Sequence, residues 1–247
     1  MKILGSDFDG TLNYGGIDEE KRKALALWRE KGNKFGIVSG RGHIDLARLA
    51  GNNNIDCDFL VAYNGGMIMT PQKEILYSKK CFGVDQKAFI KALFSYGCDF
   101  AHVNNDVYFR IVVDSKDCTS DEYHLSDEAA PFKDFFYQIS VQLKTNEESA
   151  KVVELIEQNF GEKVTPLQNG ICIDIVPKGI DKATGLIKVA EIYSCEKENI
   201  ISVGDNINDF AMIAAFNSYA MENGVEIIKK TAKHITKSVT DLIYKEL

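Results

Sequence analysis

What this chain does not contain narrows its chemistry before any motif is considered. It has no basic block: 29 lysines and arginines stand against 36 aspartates and glutamates, for a net charge of −7. That balance offers little to a nucleic-acid backbone or an anionic membrane surface, so neither is expected as a partner. An anion can be held only at a local positive site. No run approaches the roughly 18 apolar residues needed to span a bilayer. The opening MKILGSDFDG is broken by Asp7 before a secretory apolar stretch develops. The six cysteines (57, 81, 98, 118, 172 and 195) lack CxxC spacing and read as small buried hydrophobes or reduced surface thiols. A cytoplasmic location is expected. The four histidines (43, 102, 124 and 234) show neither HxH nor HExxH spacing, which argues against zinc. GxxxxGK[ST] and GxSxG are also absent, so P-loop and nucleophile-elbow chemistry have no foothold.

What is present is enough apolar residue, 45% of 247, to bury a sizeable core. The first third alternates strand and helix: KILGSDF, DEEKRKALALWREKG, KFGIVSG, HIDLARLAG and DFLVAYNGG. The alternation resumes from KATGLIKVAEIYSC through NIISVGD to VTDLIYKEL, and predicts parallel βαβ units. Between them the pattern changes to a helix followed by two paired strands, and does so twice. The chain therefore reads as a Rossmann-like α/β core, 1–82 and 178–247, with an α+β unit inserted over 83–177. Segment 114–134, with seven acidic and two basic residues, reads as a solvated connection or a substrate-facing loop.

The chemistry-bearing residues fall at strand ends. In KILGSDFDGTLN, Asp7 and Asp9 sit two apart; on a strand they share a face while Phe8 turns to the core. Paired carboxylates repel and raise each other's pKa unless a cation joins them. A hard divalent ion such as Mg2+ takes oxygen ligands of this kind. In IVSGRG, Ser39 and Gly40 precede a helix and offer a hydroxyl and free N–H groups to an anion, or simply a helix cap. Arg41 is either a phosphate contact or a surface charge. In KGIDKATGL, Lys182 opens a helix, where a cation opposes the helix dipole; a phosphate in front of it would remove that objection. IISVGDNINDF ends a strand with Asp205, then brings Asn208 and Asp209 to a helix start. Asn64-Gly65 is most simply a turn and can line the site mouth.

Taken together, DFDGTLN, VSGR, KGIDKATGL and GDNINDFAM, with the 23-position step from Lys182 to Asp205, resemble the haloacid dehalogenase superfamily and its Cof-like phosphatases. The resemblance implies a parallel-sheet core and a cap between the second and third motifs that closes over the site. It implies Asp7 as nucleophile and Mg2+ ligand, and Asp9 as general acid/base that lends a backbone oxygen to the metal. Asp205 completes the protein ligands, with Asp209 in support. Phe8 (through its backbone), Ser39, Gly40, Lys182 and Asn208 hold the phosphate. Substrate-binding candidates are Arg41, Asn64 and Gly65.

The expected activity is Mg2+-dependent hydrolysis of phosphate monoesters of a small phosphorylated metabolite, a sugar phosphate by family expectation, through a phosphoaspartate. The alternatives are a phosphomutase of the phosphohexomutase type and, further off, a phospho-accepting signalling module or a silent binding protein. Oligomeric state is left open. Departures from the family pattern are Ser39 where threonine is commoner, Ala183 in place of a frequent glycine, and a short insert. The C-terminal KSVTDLIYKEL also lacks the usual acidic-glycine segment.

Overall fold

The computed structural model describes residues 1–114, 117–119 and 122–247. They form two compact units, Met1–Ser78 with Asp181–Leu247, and Lys79–Ile180. The inserted unit thus begins before residue 83 and ends after residue 177.

In the first unit the chain runs β1 (Ile3–Ser6), α1 (Glu19–Glu30), β2 (Lys34–Val38), α2 (His43–Asn52), β3 (Phe59–Ala62), β4 (Met67–Met69) and β5 (Ile75–Ser78). Helix α1 starts where the Asp18 carboxylate accepts the Lys21 N–H at 2.8 Å, with Glu19 and Glu20 favourably placed in its first turn.

The second unit contains β6 (Cys81–Phe82), α3 (Gln86–Ser95), β7 (Phe100–Asn104), β8 (Tyr108–Val112), β9 (Glu122–His124) and β10 (Phe135–Phe136). It continues with β11 (Gln138–Gln142), α4 (Asn146–Phe160), β12 (Val164–Asn169) and β13 (Cys172–Pro177). The first unit resumes with α5 (Lys182–Ile192), β14 (Ile200–Gly204), α6 (Phe210–Ala215), β15 (Asn217–Met221), α7 (Glu226–Thr231), β16 (His234–Thr236) and α8 (Val239–Glu246).

The first unit's sheet has the order β16-β15-β14-β1-β2-β3-β4-β5. Its first six strands are parallel, whereas β4 and β5 join antiparallel, so the sheet is mixed rather than wholly parallel. Strand β4, like β16, is too short to show an alternation in sequence. The parallel strands are buried along their lengths, which explains runs such as FLVA and IISVG. From β1 the chain winds one way through β2 and β3, and from β14 the other way through β15 and β16. The switch point, where open α/β sheets leave a crevice, therefore lies at the carboxyl ends of β1 and β14.

The second unit is a six-stranded sheet, β12-β13-β11-β7-β8-β9, with β6 and β10 paired separately. Its core packs Phe89, Ile90 and Leu93 of α3 and Val152 and Ile156 of α4 against Ala101, Val103, Ile111, Ile139 and Ile173. The helix–strand–strand arrangement occurs twice, as α3-β7-β8 and α4-β12-β13. The 114–134 segment is more than a connection: Glu122–His124 is a strand parallel to β8, and Arg110 pairs with Glu122 at 2.5 Å. Residues 115, 116, 120 and 121 of that segment lie outside the described residues.

Candidate active site

Strand β1 ends at Ser6, one residue before the first aspartate. The Asp7 N–H donates to the Val203 carbonyl at 3.0 Å, which pins Asp7 to the end of β14. A tight turn, Phe8–Leu12, follows, in which Asp9 and Gly10 leave helical geometry. Asp7 and Asp9 therefore do not share the single strand face that their two-residue spacing predicts. The turn, not a pleat, separates them, and they face different surroundings. Asp7 is 6% exposed, whereas the Asp9 side chain is 53% exposed. Phe8 is in the core, as its side chain demands.

Gly10 has φ +81°, and a Cβ there would stand 2.5 Å from Asp205 Oδ2, so only glycine fits. This close approach lets Thr11 Oγ1 donate to Asp205 Oδ1 at 2.5 Å, while Asn223 Nδ2 donates to the Gly10 carbonyl at 2.9 Å. Sequence reading missed both anchors. Thr11 lies within the Phe8–Leu12 turn, and Asn223 comes from a loop 213 positions from Gly10.

Lys182 opens α5, whose end is capped by Asp181 accepting from the Thr184 N–H at 2.7 Å. Its side chain is fully buried, and Nζ donates to Asp7 Oδ1 at 2.6 Å and to Asp209 Oδ1 at 2.5 Å. Two carboxylates, more than any anion at the helix end, account for a lysine at that place. Asp209 is also fully buried, and its Oδ2 accepts the N–H groups of Asp205 and Asn206 at 2.9 and 3.0 Å.

Carboxylate oxygens of Asp7, Asp205 and Asp209 lie within 4.8 Å of one another. Burial pushes Asp7 up to about 8 against the pull of Lys182, with Asp209 and Asp205 adding to the rise. Asp205 is raised too, by burial first and by Asp209, although its Thr11 hydrogen bond opposes this. Burial pulls the Lys182 ammonium down, but Asp209 and Asp7 more than offset it and hold the group protonated. Three carboxylates share a single buried ammonium, so the cluster is short of positive charge. Its donors are all hard oxygens, the set that Mg2+ prefers. The residues fit a divalent cation.

The remaining candidates divide. Ser39 is 3% exposed; its Oγ accepts the Arg41 N–H at 3.2 Å, and its N–H donates to Val61. Gly40 follows it, half-buried, in the β2–α2 loop. Asn64 and Gly65 form a turn after β3 that is fully buried and tied to the loop, since the Asn64 N–H donates to the Ser39 carbonyl at 2.9 Å. Asn208 lies half-buried on the turn Ile207–Asp209. Arg41 is seated on Asp9: Nε reaches Oδ2 at 2.7 Å and Nη2 reaches Oδ1 at 3.0 Å. The Asp9 hydrogen bonds, then Asp45, raise the Arg41 pKa above its ordinary value although burial opposes this. Elsewhere, in the second unit, His124 comes together with Cys118 and Asp127, their ligand atoms also within 4.8 Å, a grouping that HxH-type spacing does not reveal.

An open sheet with a buried aspartate–lysine cluster at its switch point defines an α/β protein whose charged centre lies where such sheets bind ligands. Residues 4–243 match the family described as haloacid dehalogenase-like hydrolase, and the chain belongs to that family. It is 26% identical over 239 residues to the 5-amino-6-(5-phospho-D-ribitylamino)uracil phosphatase YcsE of Bacillus subtilis, covering 96% of this chain and 90% of that protein. It is 24% identical over 250 residues to YbjI of Escherichia coli, which carries the same phosphatase name, covering 95% and 90%. Among solved structures, the HAD subclass IIB sugar phosphatase BT4131 shares the fold with a TM-score of 0.81 at 19% identity, covering 100% of this chain and 99% of that one. No helix among the described residues is long and apolar enough to cross a membrane.

Proposed function

We propose that this chain is a Mg2+-dependent phosphatase that hydrolyses monoesters of a small phosphorylated metabolite through a phosphoaspartate on Asp7. One observation carries the reading: Asp7, Asp205 and Asp209 converge with Lys182 at the ends of β1 and β14. Asp7, Asp205 and the backbone oxygen of Asp9 would hold the cation, with Asp209 in support. When bound, it supplies positive charge to a transferring phosphoryl group.

The protein's own groups do the rest. Asp7 presents an oxygen that attacks phosphorus, forming the Asp7 O–P bond as the ester P–O bond breaks. Asp9 gives the departing oxygen its proton, then takes one from the water that cleaves the acyl phosphate. Lys182, Ser39, the Gly40 N–H, the Phe8 N–H and Asn208 hold the phosphoryl oxygens and offset their charge.

The relatives named above act on a phosphate borne by a ribityl chain or on sugar phosphates, which supports a sugar or polyol phosphate here. The test is a panel of such esters, with and without Mg2+, assayed for released phosphate in labelled water. Label in the released phosphate supports hydrolysis; phosphate retained on the sugar overturns it in favour of a mutase.

A further inference from the structure

We propose that Arg41 is a positioning residue for Asp9, acting through a two-pronged pair and not as a phosphate ligand. The inference rests on the acid/base role proposed for Asp9. The geometry is specific. Nε and Nη2 take one Asp9 oxygen each, at 2.7 and 3.0 Å, so the carboxylate plane is fixed against the guanidinium plane. The third nitrogen, Nη1, is occupied by Asp45 Oδ2 at 2.8 Å, one helical turn on, and Asp45 is in turn held by Arg48 at 2.5 Å. Arg41 therefore cannot swivel to a phosphate without abandoning two carboxylates.

Its backbone is also anchored, with the N–H on Ser39 Oγ at 3.2 Å and the carbonyl accepting the Tyr63 N–H at 3.0 Å. The row Asp9–Arg41–Asp45–Arg48 runs from the turn after β1 to the first turns of α2. The Arg41 and Asp9 side chains are 39% and 53% exposed, so an ordinary surface pair of this kind would add little to folding. Its use is orientation. Asp9 sits on the turn Phe8–Leu12, and the fork is what orients its carboxylate.

Acid catalysis matters when the leaving oxygen is a poor one. An alkyl alcohol must be protonated as it departs, whereas p-nitrophenolate leaves unaided. The experiment compares p-nitrophenyl phosphate with the fastest alkyl monoester of a sugar-phosphate panel, in wild type, Asp9→Asn, Arg41→Met, Arg41→Lys and the Asp9→Asn/Arg41→Met pair. Arg41→Met is expected to lower kcat for the alkyl ester at least about ten-fold more than for the aryl ester, a share of the usual acid/base contribution. Arg41→Lys should not restore the ratio, because an ammonium cannot engage both oxygens in a fixed plane. The double variant should be no worse than Asp9→Asn alone.

An equal loss on both esters with a raised KM makes Arg41 a phosphate ligand and overturns the proposal. So does an unchanged ratio, or full rescue by lysine. Wild-type protein that hydrolyses neither ester overturns the phosphatase reading and this proposal with it. Thermal unfolding midpoints of the variants close to wild type show that any change in ratio comes from the site and not from misfolding.

Discussion

Lys182 Nζ lies 2.6 Å from Asp7 Oδ1, a buried contact between residues 175 positions apart that joins the end of β1 to the start of α5. Both groups are withdrawn from water, so the pair costs solvation, a cost that the phosphoryl transfer proposed above would explain.

Asp7→Asn is expected to fold and to lose nearly all turnover of an aryl phosphate, since an amide cannot form the acyl phosphate. Turnover above about 5% of wild type, against the 10²-fold or larger losses usual for such groups, would remove Asp7 as nucleophile. Lys182→Met should instead lose stability as well as activity, because it leaves two carboxylates without their ammonium. Breaking a buried pair in this way costs about 3–5 kcal/mol. Urea unfolding of the two variants separates the cases.

Chelation with EDTA is expected to silence the enzyme and added Mg2+ to restore it. A readout apart from activity is the unfolding midpoint: a ligand at 100 times its Kd stabilises by about 2.7 kcal/mol. Mg2+ should raise the midpoint of wild type and not of Asp205→Asn. An equal rise in both would move the cation elsewhere.

Thr11→Val removes the hydroxyl that donates to Asp205 and keeps the shape. The expected loss is about 1.5–3 kcal/mol, the range for a hydrogen bond to a charged group, read as weaker Mg2+ activation and lower kcat. Thr11→Ser should recover most of it. A Val variant with unchanged Mg2+ response would reduce Thr11 to a packing residue.

Asp58 supplies a pH prediction away from the site. Burial raises its carboxyl, but Arg29, the Phe35 N–H and Lys34 outweigh that and hold it below the usual value. A depressed folded value means that its stabilisation is present above the unfolded value of about 3.9. It is lost as pH falls through the folded one. Asp58→Asn should therefore flatten the acid side of the stability profile and cost about 2 kcal/mol near neutrality. Unchanged acid unfolding would show that other carboxylates carry it.

Gly65→Ala should destabilise the first unit. Gly65 has φ +110°, and a Cβ would stand 2.2 Å from the Asp181 carbonyl at the cap of α5. Backbone strain alone is worth about 1–3 kcal/mol. A fully stable variant would mean that the turn relaxes without disturbing Lys182.

By itself the sequence determined the class of fold and singled out Asp7, Lys182, Asp205 and Asp209, which the structure brings together. Local periodicity records burial, and DFDGTLN, VSGR, KGIDKATGL and GDNINDFAM each place their polar residues where a strand or loop gives way to a helix. It also showed the inserted unit, because a helix followed by two strands reads differently from βαβ. What tertiary structure decided was partnership. That Asp7 goes to Lys182 while Asp9 goes to Arg41 follows from the turn Phe8–Leu12, which no two-residue period describes. That Thr11 and Asn223 brace the same turn, and that β4, β5 and β16 extend the sheet, follows from contacts between distant segments. A hydrogen bond between such segments leaves no trace in the spacing of either. Only the closed chain brings its two ends within reach.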